Sequence, residues 1–158
     1  MLAVRDVRSA MKFCTSAFGF KVKQSMEGPG GMLVHAELTL RDTKLMLSPE
    51  EPKQNALSAG SIGNTPVTLY VLVDDVDKTV ATALAAGAQV RMPVMDMFWG
   101  DRCGMVADPD GNKWMIATHK SEPTEAEMAQ AMQQMQQQAQ HAPESAAAAA
   151  VAGSESEF

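Results

Sequence analysis

His35 and Glu37 lie two residues apart in LVHAELTL, a spacing that puts both side chains on one face of an extended strand. An imidazole beside a carboxylate can move a proton on a bound compound or lend two donors to a displaced metal site. It can equally be a structural hydrogen bond between half-exposed strand residues. Further along, FWGDRCGMVADPDGNKWMIATH (Phe98–His119) sets the aromatic pair Phe98 and Trp99 and the cation Arg102 ahead of a strand, turn and strand. An indole and a guanidinium at a cavity rim would make a stacking surface and an anion clamp. The alternative is that Trp99 packs the hairpin base while Arg102 pairs with Asp96 or Asp101. Tyr70, in VTLYVLV, either hydrogen-bonds a ligand or caps a cavity. Cys14 and Cys103 have no base near them in sequence, so neither is expected to act as a nucleophile. DPDGN is turn chemistry; it lacks the later ligands and closing glutamate of a calcium loop.

The elements that must carry these residues follow from a repeat. VRDV at Val4–Val7 returns as VDDV at Val73–Val76, and KLML at Lys44–Leu47 returns as KWMI at Lys113–Ile116, both at an offset of 69. After each V-x-D-V comes a helical stretch closing near a glycine, Gly19 or Gly87. Met11, Cys14 and Phe18, with Ala10 and Ala17, share one face of the first helix; Val76, Val80, Ala83 and Leu84 share one face of the second. Strands alternate instead. One face of the third carries Met32, Val34, Ala36, Leu38 and Leu40, the other Leu33, His35, Glu37 and Thr39. In VTLYVLV, Val67, Leu69, Val71 and Val73 oppose Thr68, Tyr70 and Leu72. Each module reads β-α-β-β-β. The expected class is α+β: tandem modules forming a curved mixed sheet with a concave cup, helices on the outer face, and a C-terminal helix. The domain spans 1–120, with module one at 1–48, a polar Pro/Gly-rich connector at 49–66, and module two at 67–120. A capping box at Thr124 and Glu127 opens a helix within 121–140, and low-complexity 141–158 is expected to be disordered.

A tandem β-α-β-β-β repeat carrying V-x-D-V, AFGF and DPDGN resembles the vicinal oxygen chelate superfamily of glyoxalases, bleomycin-resistance proteins and dioxygenases. HAEL, MFWGDR and WMIATH resemble its PhnB-like branch, and Trp99 and Arg102 resemble the W-G-x-R run of bleomycin-binding members. In the superfamily's enzymes each module supplies one metal ligand from its first strand and one from its last. That resemblance places the second module's pair at Thr68 and Met115 and the first module's last-strand ligand at Met46. The first-strand ligand would fall ahead of Met1, so the chain is expected to begin inside that strand. None of the three is a carboxylate or imidazole.

The resemblance therefore implies a metal-independent small-molecule binding protein, with no cofactor and no catalytic residue. It would be a homodimer whose cup is lined by His35, Glu37, Met46, Thr68, Tyr70, Trp99, Arg102 and Met115. Antibiotic or metabolite sequestration is the implied role. The alternative is a metal-dependent lyase, isomerase or dioxygenase holding a divalent ion at a non-standard site. Met46 and Met115 would give a cup a polarizable, adaptable lining, or simply fill space in a chain with 13 methionines. A formal charge of −6 with no basic cluster in the sequence argues against nucleic-acid and anionic-membrane partners. No apolar run is long enough to span a bilayer, and two isolated cysteines suit a reducing cytoplasm, the expected location.

Overall fold

The computed structural model describes residues 1–141, with side chains to residue 138. The expectation for the tail beyond residue 141 lies outside the described residues. Two units are separable, Met1–Ser121 and the segment from Glu122 onward.

In the first unit the V-x-D-V repeat has a direct physical meaning: its aspartate caps the helix that follows. Asp6 Oδ1 accepts the Ser9 amide at 2.6 Å at the start of α1 (Val7–Phe18), and Asp75 Oδ1 accepts the Lys78 amide at 3.0 Å at the start of α3 (Val76–Ala85). Gly19 closes α1 in the left-handed region at φ 76°. Strands β1 (Leu2–Val4), β2 (Lys21–Glu27), β3 (Leu33–Leu40) and β4 (Thr43–Pro49) form one sheet in the order β1-β4-β3-β2. Strands β5 (Thr68–Leu72), β6 (Gln89–Asp96), β7 (Asp101–Ala107) and β8 (Lys113–His119) form the other, in the matching order β5-β8-β7-β6. In each sheet the first and last strands of the module run parallel and the remaining pairs antiparallel. The α+β class and the tandem βαβββ order are as the sequence indicated. The connector also holds a 3-10 turn at Pro52–Gln54 and the short helix α2 (Ala59–Ile62).

Each helix packs on its own sheet, and α1 also packs on α3. One core joins them. Val4, Ala36, Leu38 and Leu47 of the first sheet and Ile116 and Val106 of the second are fully buried beneath Val7, Phe13, Phe18, Val76 and Val80 of the helices. Phe18 and Trp114 bridge the modules, with ring centroids 4.6 Å apart. Burial of each of the Val, Leu, Ile and Phe side chains stabilises the fold by roughly 1.5–3 kcal/mol. Two assignments to the buried faces are corrected. Leu84 is exposed on α3, whereas Phe13, unassigned by the spacing, is buried on α1. At the start of β3, Leu33 is buried and Met32 exposed, the reverse of the simple alternation. The register shifts there between Met26 and Glu27, and Val34 is the extra residue; such a bulge swaps faces beyond it.

The second unit holds α4 (Glu125–His141), opened by the expected capping box: the Thr124 amide donates to Glu127 Oε2 at 2.7 Å and the Glu127 amide to Thr124 Oγ1 at 3.3 Å. Among the described residues no helix is long and apolar enough to cross a membrane.

Candidate functional site

Alternation fixes which strand residues turn away from the helices. Opposite the buried row Trp114, Ile116 and Thr118, strand β8 presents Lys113, Met115, Ala117 and His119. These pair across to Thr68, Tyr70 and Leu72 on β5 and to Ala107, Met105, Cys103 and Asp101 on β7. The hub of this outward face is Asp101. Its Oδ2 accepts the Tyr70 hydroxyl at 2.6 Å and the Trp99 indole N–H at 3.2 Å, while Oδ1 lies 2.9 Å from His119 Nδ1. Its side chain keeps 14% exposure. The Tyr70 hydrogen bond is the main cause holding its carboxyl below the usual aspartate range; the His119 and Trp99 contacts add to this and burial opposes it. Burial, with the donated bond to Asp101, pushes the Tyr70 phenol well above the ordinary tyrosine range. Cys103 lies beneath, 3.7 Å from the Tyr70 hydroxyl, and burial raises its thiol; Cys14, in the helix-side core, is pushed up to about 12. Neither is a thiolate at neutral pH.

Around this buried polar hub the surface is apolar and open. Tyr70 is 52% exposed and Trp99 37%, with Leu72 and Met95 also exposed and Met115 half-buried. Trp99 stacks edge-on against Phe98 at 5.1 Å. A polarised carboxylate ringed by phenol, indole and imidazole, set in thioether and aromatic surface, can orient a flat compound and exchange hydrogen bonds with it.

On the first sheet the outward face carries His35, Glu37 and Thr39, with Met46 directly opposite Glu37. Glu37 is 8% exposed and its Oε1 is touched by two ammoniums, Lys23 at 2.9 Å and Lys44 at 3.0 Å, which hold its carboxyl below the usual range. Two ion pairs thus converge on one carboxylate oxygen.

The structure thus sets Tyr70, Trp99, Thr68 and Met115 on one face and His35, Glu37 and Met46 on another. Arg102 stands apart. It is directed to the helix side, where Asp77 of α3 takes Nε at 2.9 Å and Nη2 at 3.0 Å and Asp96 takes Nη1 at 3.1 Å. Of the pairings considered from sequence, Asp96 is one; Asp77 was missed, being 25 residues away. Asp101 and His119 were missed as functional candidates altogether. Their alternation along β7 and β8 is readable, but the cross-strand register that brings them together is not.

The positions that the resemblance gives to metal ligands do not fit a divalent ion. Met46, Thr68 and Met115 offer thioethers and a hydroxyl where oxygen anions or imidazoles are needed. Glu37 is already committed to two lysines. Among the described residues no three His, Cys, Asp or Glu side chains converge.

A hollow of about 860 Å³ lies elsewhere, between α1, α3 and the Asp108–Asp110 turn. Several of its charged groups serve local structure: Asp6 caps α1, Arg5 bonds Asp110 and the Pro109 carbonyl, and Asp108 accepts from Asp110, Asn112 and Trp114. The chemistry sits on the sheet faces, and those are the better candidate.

The profile of the Glyoxalase/Bleomycin resistance protein/Dioxygenase superfamily matches residues 1–116. The chain belongs to that superfamily. It is 39% identical over 118 residues to an uncharacterized protein of Mycobacterium bovis, covering 73% of this chain and 78% of that one. It is 33% identical over 110 residues to the putative glyoxylase CFP32 of the same organism, of which the match spans 40%. Among solved structures it is similar to TioX from Micromonospora sp. ML1, with a TM-score of 0.60 and 29% identity over 75% of this chain and 94% of that one. It shares its fold with TnmS3, an antibiotic binding protein from Streptomyces sp. CB03234, at a TM-score of 0.56 and 24% identity over 75% and 91% of the two chains.

Proposed function

We propose that this protein is a metal-independent small-molecule binding protein of the PhnB-like branch, working as a homodimer in the cytoplasm to sequester an antibiotic or metabolite. The observation that carries the reading is the Asp101 hub: a carboxylate with three hydrogen-bonding neighbours set in exposed aromatic and thioether surface. Recognition without a Lewis acid requires a preorganised polar anchor beside an adaptable apolar wall, and this face has both. That TnmS3 is an antibiotic binding protein is in keeping with it.

What one chain leaves open supports the dimer. β1 and β5 each end a sheet, and no ladder joins the two sheets among the described residues. The outward faces carry exposed Met26 on the first sheet and Tyr70, Leu72 and Met95 on the second, apolar surface that a partner would cover. A second copy setting its second sheet beside the first sheet of its partner encloses both faces in one cup. The test is a thermal-shift screen of flat aromatic compounds on protein stripped of metal with a chelator, alongside sedimentation to fix the oligomer. Stabilisation of a dimer by at least one compound, unchanged by chelator, is expected. Binding that appears only when a divalent ion is restored would overturn the reading and favour the metal-dependent enzyme.

A further inference from the structure

The outward face of the first sheet is basic on a chain whose formal charge is −6. Lys21 and Lys44 stand on either side of Thr39 in one cross-strand row of β2, β3 and β4. Lys23, the extra residue where the β2 register shifts between Val22 and Gln24, is drawn onto the same face by Glu37. Two ammoniums therefore meet at a single carboxylate, with Lys21 further along the same face. Lys21 has no ion-pair partner among the described residues, and Glu27, the one acid of β2, is engaged by Arg8. Two of the ammoniums touch the same atom, Glu37 Oε1, which holds like charges far closer than a Debye length. One carboxylate offsets only one of the two ammoniums it touches, so Glu37 leaves an excess of positive charge beside the Thr39 hydroxyl.

From this arrangement we propose that the first sheet holds an anion-binding subsite, in which Lys23 and Lys44 clamp a carboxylate, phosphonate or phosphate group of the guest, Lys21 adds charge and Thr39 donates a hydrogen bond. Two ammoniums fixed by a shared counter-ion are preorganised, so an arriving anion bridges them without ordering two long side chains anew. The proposal rests on the reading of the sheet faces as the guest site and names the guest class: a small aromatic compound bearing an acidic group. The anion goes to the first sheet and the aromatic body to the Tyr70–Trp99 face of the second.

Phenylphosphonate and its uncharged counterpart benzyl alcohol, titrated into full-length protein and followed by backbone amide NMR, test it. Phenylphosphonate is expected to move β2–β4 amides, and to bind about tenfold more weakly in K23Q/K44Q and progressively more weakly as salt rises. Benzyl alcohol is expected to bind both proteins alike. Because K23Q/K44Q strips a buried carboxylate of its counter-ions and can destabilise the sheet, K21Q serves as the second variant. It breaks no ion pair and is expected to weaken phenylphosphonate about two- to threefold. Equal phenylphosphonate affinity in wild type and K21Q, or shifts confined to β5–β8, would overturn the subsite while leaving the guest reading intact. No shift on either sheet with either compound would overturn both.

Discussion

Tyr70 is the sole tyrosine of the sequence, so its phenolate absorbance reports the Asp101 hub without interference from another residue. Its hydroxyl donates at 2.6 Å to a carboxylate that is itself held ionised. Both burial and that bond favour the neutral phenol. The phenolate signal is therefore expected to rise at a higher pH than in free tyrosine. Because the folded-state value is raised, the stability it carries is full below the ordinary tyrosine range, near pH 10, and is lost as pH climbs above it. Asp101→Asn removes the neighbouring charge and moves the midpoint down. Tyr70→Phe removes the bond itself. A hydrogen bond to a charged group contributes about 1.5–3 kcal/mol when water is excluded; with Tyr70 half exposed, about 1 kcal/mol is expected at pH 7, or a Tm lower by about 4 °C. In the double variant the two costs are expected not to add, since both remove one interaction. A phenolate midpoint unmoved by Asp101→Asn, or strictly additive costs, would refute the hub.

Other outcomes follow from the helix-side framework. Thr118→Val takes away the hydroxyl that accepts the buried Val76 amide at 2.8 Å and is expected to cost about 1–3 kcal/mol in chemical denaturation, with little change in guest binding. Trp114→Ala deletes the ring bridging both modules, which also donates to Asp108 at 3.0 Å, at a cost of about 3–5 kcal/mol. Both cysteines are expected to resist an aromatic disulfide reagent at pH 8 in the folded protein and to react on unfolding, because burial raises both thiols; fast native labelling would contradict the assignment.

The repeat made most of the fold legible. An offset of 69 ties the caps Asp6 and Asp75 and the last strands β4 and β8 together, and the outward placement of Tyr70 and Thr68 follows from strict alternation on β5. Failures came where a local irregularity or a distant partner decides. The bulge at Val34 exchanges Leu33 and Met32, and a single residue in an apolar run gives no sign of it. Arg102 turns to Asp77 because β7 puts it in the helix-facing row, next to a residue of α3 that adjacency in sequence does not suggest. The Asp101–His119 pairing needed the β7–β8 register, which sets the first residue of β7 opposite the last of β8. The lysine cluster escaped notice for the same reason: Lys21, Lys23 and Lys44 are scattered in sequence and gather only across three strands.

The most direct test follows the two tryptophan indole signals while a stabilising compound is added to metal-free protein. Trp99 belongs to the outward face and Trp114 to the helix-side core, bonded to Asp108 beside the large hollow. The account predicts that the Trp99 indole moves with the guest while Trp114 stays still. Movement of Trp114 alone, or of neither until a divalent ion is supplied, would contradict it.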